Sequence, residues 1–392
     1  MRVTHFLQTW KKSATLILAA RAPVTSSSIP TSGQQLSHVS AGGVAGGGAS
    51  LATSPFDYKV LLLKRSGKSS FLPNGCVFPG GCVAQSDFSD KWVDLFKGAG
   101  VDLKQLSKRV LSPEEGKTGC RPPMLTADLG SSLSNEVAFR ICAIRETFEE
   151  SGVLICTHSI GTGCETVSAD HGMTEEAVSE WRRLVMNDDS QFMTMFEELN
   201  LLPDICSLHE WSNWLTPTRL LQYANAQSTQ RFDTMFYVCC LETEPHTAHD
   251  DEEIIHSQWM SPAEILESFS NKTMALMPPQ VYEVSRLSTF SQLSDLSSFA
   301  MKRRGMGCEQ WMNVGIRCTD GFLIVLPGDD LYPVVPDMDG VLPQLSLPYS
   351  LQNAQANSRR HNRMILQDDG TLYVHCTITQ KYNHVSPAAS SN

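Results

Sequence analysis

The chain has 392 residues, enough to bury a large core, and its hydrophobic fraction of 41% and charged fraction of 19% are typical of globular proteins. A formal charge of −11 argues against a general binder of nucleic acids or membrane surfaces, and an anionic substrate would need cations supplied locally. No apolar run approaches the roughly 20 residues that a membrane-spanning helix requires, and the oligomeric state is left open.

The N-terminal segment has two interpretations. No acidic residue precedes Asp57, and the basic residues before it give the segment the composition of a mitochondrial transit peptide. Alternatively, SATLILAAR (13–21) is the first strand of the fold, followed by a Ser- and Gly-rich linker over residues 22–55. The two interpretations can both hold in part.

The first half of the chain then alternates predicted strands with a long insertion. YKVLLLKRS (58–66) has the apolar character of a buried strand, and FLPNGCVFPGG (71–81) is a turn marked by Gly and Pro. Residues 82–134 are interpreted as an insertion with a small helical segment. A helix begins near Asn135, which would cap it, and ends at Gly152, whose freedom at positive φ suits a C-terminal cap. The residues that follow, VLIC (153–156), are predicted to form a strand.

The second half is predicted to hold a helical insertion over residues 160–215, ending in the aromatic run HEWSNWLTP. Two strands are expected to follow, at 232–242 and 256–262. Two helices are expected at 261–271 and 278–302. We therefore divide the chain into a domain over residues 12–303 and a β-rich C-terminal extension over residues 304–392.

FRICAIRETFEESGVLI (139–155) places three carboxylates on one face of the predicted helix. Glu146, Glu149 and Glu150 are spaced i, i+3 and i+4, so they project within one turn. Ile141, Ile144 and Phe148 mark the other, core-facing stripe. Arg145 lies four residues before Glu149 and can hold that carboxylate.

Three carboxylates this close repel one another, so the cluster needs a positive partner. Hard oxygen ligands on a rigid helix suit Mg²⁺ or Mn²⁺, which also bind substrate phosphates. The alternative is a solvated acidic helix face that pairs with nearby Lys or Arg.

The flanking residues favour a metal site, because the sequence resembles the Nudix hydrolases. Residues 145–153 (RETFEESGV) match the second half of the family's box, REUxEExGU, where U is aliphatic and Thr147 stands at the first such position. Gly80 and Gly81 are the candidates for the box glycine. They lie far upstream of the helix, so an insertion has split the loop, and loop-closure entropy grows only slowly with such lengthening.

The resemblance implies a fold and a reaction. It implies an α/β protein with the Nudix αβα sandwich, carrying a large insertion between the FPGG turn and the Nudix helix, a helical insertion and a C-terminal extension. Over most of the chain, the order of motifs resembles the acyl-coenzyme A diphosphatase branch. That branch splits CoA or acyl-CoA into 3′,5′-ADP and 4′-phosphopantetheine or its acyl form. LLLKRS…FPGG matches the related coenzyme A signature in part, with Ser70 at an arginine position.

The same resemblance implies roles for the acidic helix. Glu146 and Glu150 would be the principal ligands of Mg²⁺ or Mn²⁺, with Glu149 as a further ligand and catalytic group and Arg145 orienting them. Water would attack a phosphorus of the diphosphate. Val137 stands at the box's leading glutamate position, with Glu136 beside it.

Four residues upstream are predicted to bind substrate. Lys64 and Arg65 end a strand near the expected site, and arginine is suited to bidentate phosphate contact. The alternative is that both only pair with acidic neighbours. Gly80 and Gly81, in the FPGG turn, are assigned to substrate binding as well.

The resemblance implies that the general base is a glutamate of the box or of a distant loop, and in the acidic loop HDDEEII the candidates are Glu252 and Glu253. The alternative is a solvated acidic turn between two strands.

Other functions remain open at this point. One alternative is an enzyme, a Nudix hydrolase for another nucleoside diphosphate such as NADH or ADP-ribose. A second alternative is a catalytically silent module that binds nucleotides, and the intact trio of carboxylates argues against it. The resemblance suggests a peroxisome or mitochondrion, although the final residues PAASSN are not an SKL-type signal.

Overall fold

The chain's structure is a computed structural model that describes residues 10–23, 54–69, 72–111, 119–158, 172–218, 230–248 and 253–388. In these ranges the strands are β1 Lys11–Arg21, β2 Tyr58–Arg65, β3 Cys76–Val77, β4 Gly80–Cys82, β5 Cys156–Thr157, β6 Leu202–Pro203, β7 His209–Leu215, β8 Phe232–Leu241, β9 Ile254–Met260, β10 Gln310–Met312, β11 Val314–Cys318, β12 Gly321–Val325, β13 Leu345–Ser346, β14 Asn362–Gln367 and β15 Leu372–Cys376. The α-helices are α1 Lys91–Gly98, α2 Leu103–Leu111, α3 Pro123–Thr126, α4 Asn135–Ser151, α5 Glu175–Asn187, α6 Gln191–Leu199, α7 Pro262–Ser270, α8 Pro278–Leu287, α9 Leu293–Lys302 and α10 Leu351–Ala356. Within these ranges, no helix has the length and apolar character needed to cross a membrane.

Strand β1 lies in the middle of the main sheet, whose order is β10-β7-β8-β1-β2-β3. It pairs in parallel with β8 over residues 11–20. Along its other edge it pairs antiparallel with β4 at residues 13–15 and with β2 at residues 19–21. The interpretation of residues 13–21 as a strand is therefore confirmed, while residues 1–9 of the suggested transit peptide lie outside the described residues.

Both faces of β1 are buried, which explains its continuous apolar run. Leu16, Leu18 and Ala20 pack into the core on one face, and Ile17 and Ala19 pack into the core on the other. Because side chains alternate along a strand, a run that is apolar at every position predicts a strand covered on both sides.

Helices cover the two faces of the main sheet. Helix α4 lies on the first face together with α1, α2 and α6 from the two predicted insertions, and α8 and α9 lie on the second face. The sheet is thus the middle layer between two helical layers, and the predicted αβα sandwich is confirmed.

The two ends of α4 fit the sequence in different ways. Gly152 has φ of 74° and donates its N–H to the carbonyl of Phe148 at 2.8 Å, which confirms the predicted C-terminal cap. The N-terminal cap is Ser134 rather than Asn135. Asn135 instead donates its side-chain amide to the carbonyls of Met124 and Ala127, at 3.0 and 2.8 Å, and so ties the insertion to the helix.

A second sheet, in the order β13-β11-β12-β14-β15, follows in the C-terminal part of the chain. One of its faces joins the core on the α8 side of the main sheet, through Ile324, Met364 and Val374. The other face is covered by α10, where Leu351 and Ala354 pack on the sheet. The predicted domain boundary at residue 303 stays a prediction.

Three predicted elements are wrong. Residues 209–215, assigned to the helical insertion, form β7 and pair with both β8 and β10 in the main sheet. Of the predicted strand VLIC only the final cysteine pairs, in β5, although all four residues are buried. The single helix predicted over 278–302 is two helices, α8 and α9. Apolar and aromatic runs of this length do not distinguish a strand from a buried helix or loop.

Candidate functional site

Helix α4 brings Glu146, Glu149 and Glu150 together against β4. The residues that anchor its other face in the core are Ile141, Ile144 and Phe148, each 0% exposed. The predicted stripe and the predicted acidic face are therefore both present. The acidic face is not solvated, because the side chains of Glu146 and Glu149 are only 15% and 17% exposed and Glu150 is 7% exposed.

Arg145 holds two of these carboxylates. Its Nη1 donates to Glu146 Oε1 at 2.9 Å and to Glu149 Oε1 at 2.8 Å, so the predicted contact with Glu149 is present and a second one joins it. The guanidinium is itself fixed from the other side by Asp87, which accepts from Nε at 2.8 Å and from Nη2 at 2.9 Å. This bidentate contact is the geometry in which an arginine and a carboxylate interact most strongly.

The FPGG turn contacts the remaining carboxylate. Gly80, at φ of 153°, donates its backbone N–H to Glu150 Oε2 at 2.8 Å. A Cβ on Gly80 would lie 2.5 Å from the carbonyl oxygen of Ala14. A Cβ on Gly81 would lie 2.4 Å from Glu146 Oε2, so only glycine leaves room for that carboxylate.

Burial makes the three carboxylates hard to ionise together. It raises the pKa of Glu146 to about 8, opposed by Arg145 and reinforced by Glu149. Burial likewise raises the pKa of Glu149, and it raises the pKa of Glu150 well above the usual range with a further contribution from Glu146. All three are therefore fully charged near neutral pH only if a cation joins them.

The residues present suit a hard divalent cation. Three carboxylates on one rigid helical turn offer the oxygen donors that such ions prefer. Among the described residues, no group of three or more His, Cys, Asp and Glu side chains is already arranged around a common metal position. Arg145 and the Gly80 N–H engage carboxylate oxygens here, and a bound cation would compete with Arg145 for Glu146 and Glu149.

The three glutamates line a cavity of 710 Å³ that extends from α4 to α8 and the second sheet. Arg65 and Glu253 line it as well, and Arg65 Nη2 donates to Glu253 Oε1 at 2.5 Å. The predicted base therefore lies at the cavity, where it pairs with the predicted phosphate-binding arginine. Glu252 lies outside the described residues.

Lys64 is not brought to this cavity as predicted. Among the described residues that line it Arg65 is present and Lys64 is absent, and a β-bulge separates the two positions in the pairing of β2 with β9. Within the described residues, Arg65 is therefore the one of the two predicted cations that lines the site.

Glu136, beside the substituted box position, has a structural role. Its carboxylate accepts from Arg140 at 3.0 Å and also pairs with Arg121, which in turn binds Glu210 of β7 at 2.5 Å. It therefore ties the insertion, α4 and the sheet together and does not join the acidic cluster.

Sequence reasoning missed two residues beside the site. Asp87 lies in the predicted insertion, in a short 3₁₀ turn at Ser86–Phe88, and holds Arg145. Gln280 follows Pro278 and Pro279 at the start of α8 and lines the cavity. No local pattern marks either residue, because Asp87 acquires its place through Arg145 and Gln280 acquires its place through the packing of α8 beside the cavity.

Comparison with known proteins places this geometry in a family. A family model describing the NUDT19 Nudix domain matches residues 10–287, and one describing the NUDT19 C-terminal domain matches residues 315–377.

Three relatives carry the name acyl-coenzyme A diphosphatase NUDT19. The protein from Gallus gallus is 38% identical over 394 residues, covering 97% of this chain and 95% of the relative. The protein from Xenopus laevis is 37% identical over 408 residues, covering 98% and 97%. The protein from Homo sapiens is 34% identical over 346 residues, covering 85% and 87%. With a carboxylate trio where the family's box predicts it, the chain belongs to the NUDT19 family of Nudix hydrolases.

Proposed function

We propose that the chain hydrolyses the diphosphate of coenzyme A and acyl-CoA, giving 3′,5′-ADP and 4′-phosphopantetheine or its acyl form. The names of the three relatives support this substrate class. The observation that carries the proposal is the placement of three buried carboxylates and an arginine around one cavity large enough for a nucleotide-sized ligand.

Glu146, Glu149 and Glu150 are the residues that would hold Mg²⁺ or Mn²⁺. When bound, such an ion supplies charge stabilisation at the phosphoryl oxygens and lowers the pKa of a coordinated water. The chain's own contribution is to keep these carboxylates on one rigid turn, with Arg145 setting the positions of Glu146 and Glu149. Asp87 in turn fixes Arg145, so the ligands are oriented before any ion arrives.

Arg65 and Glu253 complete the proposed site. The Arg65 guanidinium, also bound by Ser69 at 2.8 Å, is placed to bind a substrate phosphate once Glu253 releases it. Glu253, whose side chain is 57% exposed, would then be free to take a proton from the attacking water. Gly80 and Gly81 of β4 would form part of the wall of the same cavity.

Product identification tests the substrate. The wild-type chain with Mg²⁺ is incubated separately with CoA, an acyl-CoA, NADH and ADP-ribose, and the products are resolved by mass spectrometry. Release of 4′-phosphopantetheine species is expected. Cleavage of NADH or ADP-ribose alone would instead identify a Nudix hydrolase of another nucleoside diphosphate, and no cleavage with any substrate would identify a silent module.

Glu150→Gln tests the role of the acidic cluster. Glutamine keeps an oxygen that can accept the Gly80 N–H but removes the negative charge, so kcat for CoA should fall about 100-fold or more with thermal unfolding little changed. Glu198→Gln, at an exposed position of α6, is the matched control and should retain full activity. Undiminished hydrolysis by Glu150→Gln would refute the assignment.

The cellular location is proposed to be the peroxisome or the mitochondrion. Support comes from the family resemblance and from the lack of acidic residues before Asp57. Fluorescence microscopy of the chain, tagged internally in the linker 22–55 so that both termini stay native, would decide between them.

A further inference from the structure

Gln280 places a polar group without a partner in the cavity wall. It lies in the first turn of α8, is 9% exposed and lines the cavity. Its side-chain Oε1 is fully buried and has no hydrogen-bond partner within the part of the chain that the structure describes. A buried amide oxygen without a partner is unfavourable, so a ligand that donates a hydrogen bond to it is expected to bind more tightly.

Asn313 supplies a second amide to the same wall. It stands between β10 and β11, at the start of the second sheet, and is 5% exposed. The two amides therefore come from different layers of the molecule, one from helix α8 and one from the C-terminal strands, and both line the cavity that holds the acidic cluster.

The surroundings of these amides are apolar. The cavity-lining residues contributed by α7, the loop before α8 and the second sheet are Phe269, Leu276, Met277, Ile324, Leu366 and Leu372. A ligand that fits such a wall combines methylene segments with a few amide groups. The pantetheine arm of CoA has this composition, with two amides joined by short alkyl segments, whereas the 3′,5′-ADP moiety is charged and aromatic.

We propose that Gln280 and Asn313 bind the amide groups of the substrate's pantetheine arm. In this arrangement Gln280 Oε1 accepts a hydrogen bond from an amide N–H of the arm, while the diphosphate lies at the acidic cluster of α4. Because α4 covers one face of the main sheet and α8 covers the other, the arm extends from the first layer toward the second. The assignment rests on the proposed function and adds to it the residues that recognise the non-nucleotide half of the substrate.

Gln280→Met tests the assignment, since methionine keeps the length of the side chain and removes its polar atoms. Steady-state kinetics with CoA are combined with inhibition by each product, 4′-phosphopantetheine and 3′,5′-ADP. The KM for CoA and the Ki of 4′-phosphopantetheine should rise about 5- to 10-fold, as expected for one lost hydrogen bond, with the Ki of 3′,5′-ADP and kcat within about twofold of wild type. Gln292→Met, the same change at an exposed position before α9, should alter none of these constants.

Asn313→Ala provides an independent variant, judged by the same constants after thermal unfolding has established that it is folded. An unchanged Ki of 4′-phosphopantetheine in a folded Gln280→Met chain would overturn the assignment, and so would an equal rise in the Ki of 3′,5′-ADP. Both results leave CoA hydrolysis by the wild type intact and so spare the proposed function. Absence of CoA hydrolysis and of 4′-phosphopantetheine binding in the wild type would overturn the two together.

Discussion

At the scale of single residues, the acidic site is held by contacts that replace solvent. Each of the three glutamates accepts a hydrogen bond from a neighbour. Arg145 donates to Glu146 and Glu149 and is itself held by Asp87. The Gly80 N–H donates to Glu150. The glutamates and Arg145 could be predicted from spacing, because residues three and four apart share a helix face. Asp87 could not, since its contact with Arg145 depends on how the insertion folds back on α4.

Gly81→Ala should reduce activity without unfolding the protein. The added Cβ would meet the Glu146 carboxylate at 2.4 Å, and because that carboxylate ends a flexible side chain, it would move aside. A displaced ligand is expected to lower kcat about 10- to 100-fold. Gly98→Ala, at a helical position where the new Cβ has no atom within 4 Å beyond its own helix backbone and chain neighbours, is the control and should keep wild-type kinetics without lowering the melting temperature. Equal kinetics for the two variants would contradict the tight fit between Gly81 and Glu146.

At the scale of elements, the acidic helix and the central strands were predicted from their own sequence, whereas β7 was not. Helix α4 carries a clear periodicity and a glycine at its end, so its type and C-terminus follow from local chemistry. Strand β7 has aromatic residues at several positions and is buried throughout, a pattern equally compatible with a buried helix. Its identity is decided by pairing with β8, the next strand of the chain, and with β10, which begins only at Gln310.

The second sheet contributes a wall of the cavity, so it should influence which acyl chains are accepted. Leu372 of β15 lines the cavity, and Leu372→Trp would fill part of that space. We expect KM to rise more for long-chain acyl-CoA than for free CoA, by at least about 5-fold, since excess volume in a confined apolar site is poorly tolerated. The measurement is KM across a series of acyl-CoA lengths.

Tyr373→Trp is the matched control for that series. Tyr373 is the next residue of the same strand and packs with the cluster on the opposite face of the sheet. Enlarging it should leave the order of preference among acyl lengths unchanged. If Leu372→Trp raised KM equally for CoA and for every acyl-CoA, the wall would have no part in selecting the chain.

At the scale of the whole molecule, buried charged and titratable groups connect the layers. Arg121 of the insertion joins Glu136 of α4 to Glu210 of β7, and His209 lies next to Glu210 in the same strand at 6% exposure. Burial lowers the pKa of His209 to about 3, assisted by the positive charges of Arg304 and Arg140. Composition gives the net charge of −11 but cannot say which charges are enclosed, because enclosure is a property of the assembled layers.

His209 should make the protein less stable as the solution becomes acidic. The unfolded chain binds a proton at this residue below pH 6.5, while the folded chain does not until about pH 3, so stability falls between these values. Replacing it by His209→Gln removes this contribution. Between pH 7 and pH 5.5, the free energy of unfolding of the wild type should fall about 1 kcal/mol more than that of the variant, as measured by urea denaturation.

If the free energy of unfolding of the wild type and of His209→Gln varied with pH in the same way, the buried imidazole would be protonated in the folded protein.

The position of β1 has a consequence for biosynthesis. Strand β1 begins at Lys11, yet the neighbour with which it pairs over residues 11–20 begins only at Phe232. Until Phe232 and the residues after it are synthesised, the aliphatic residues of β1 lack this partner strand, and closure of the sheet is delayed accordingly. Chaperone engagement of the emerging N-terminal region, and misfolding when translation pauses before Phe232, follow from that interval of exposure.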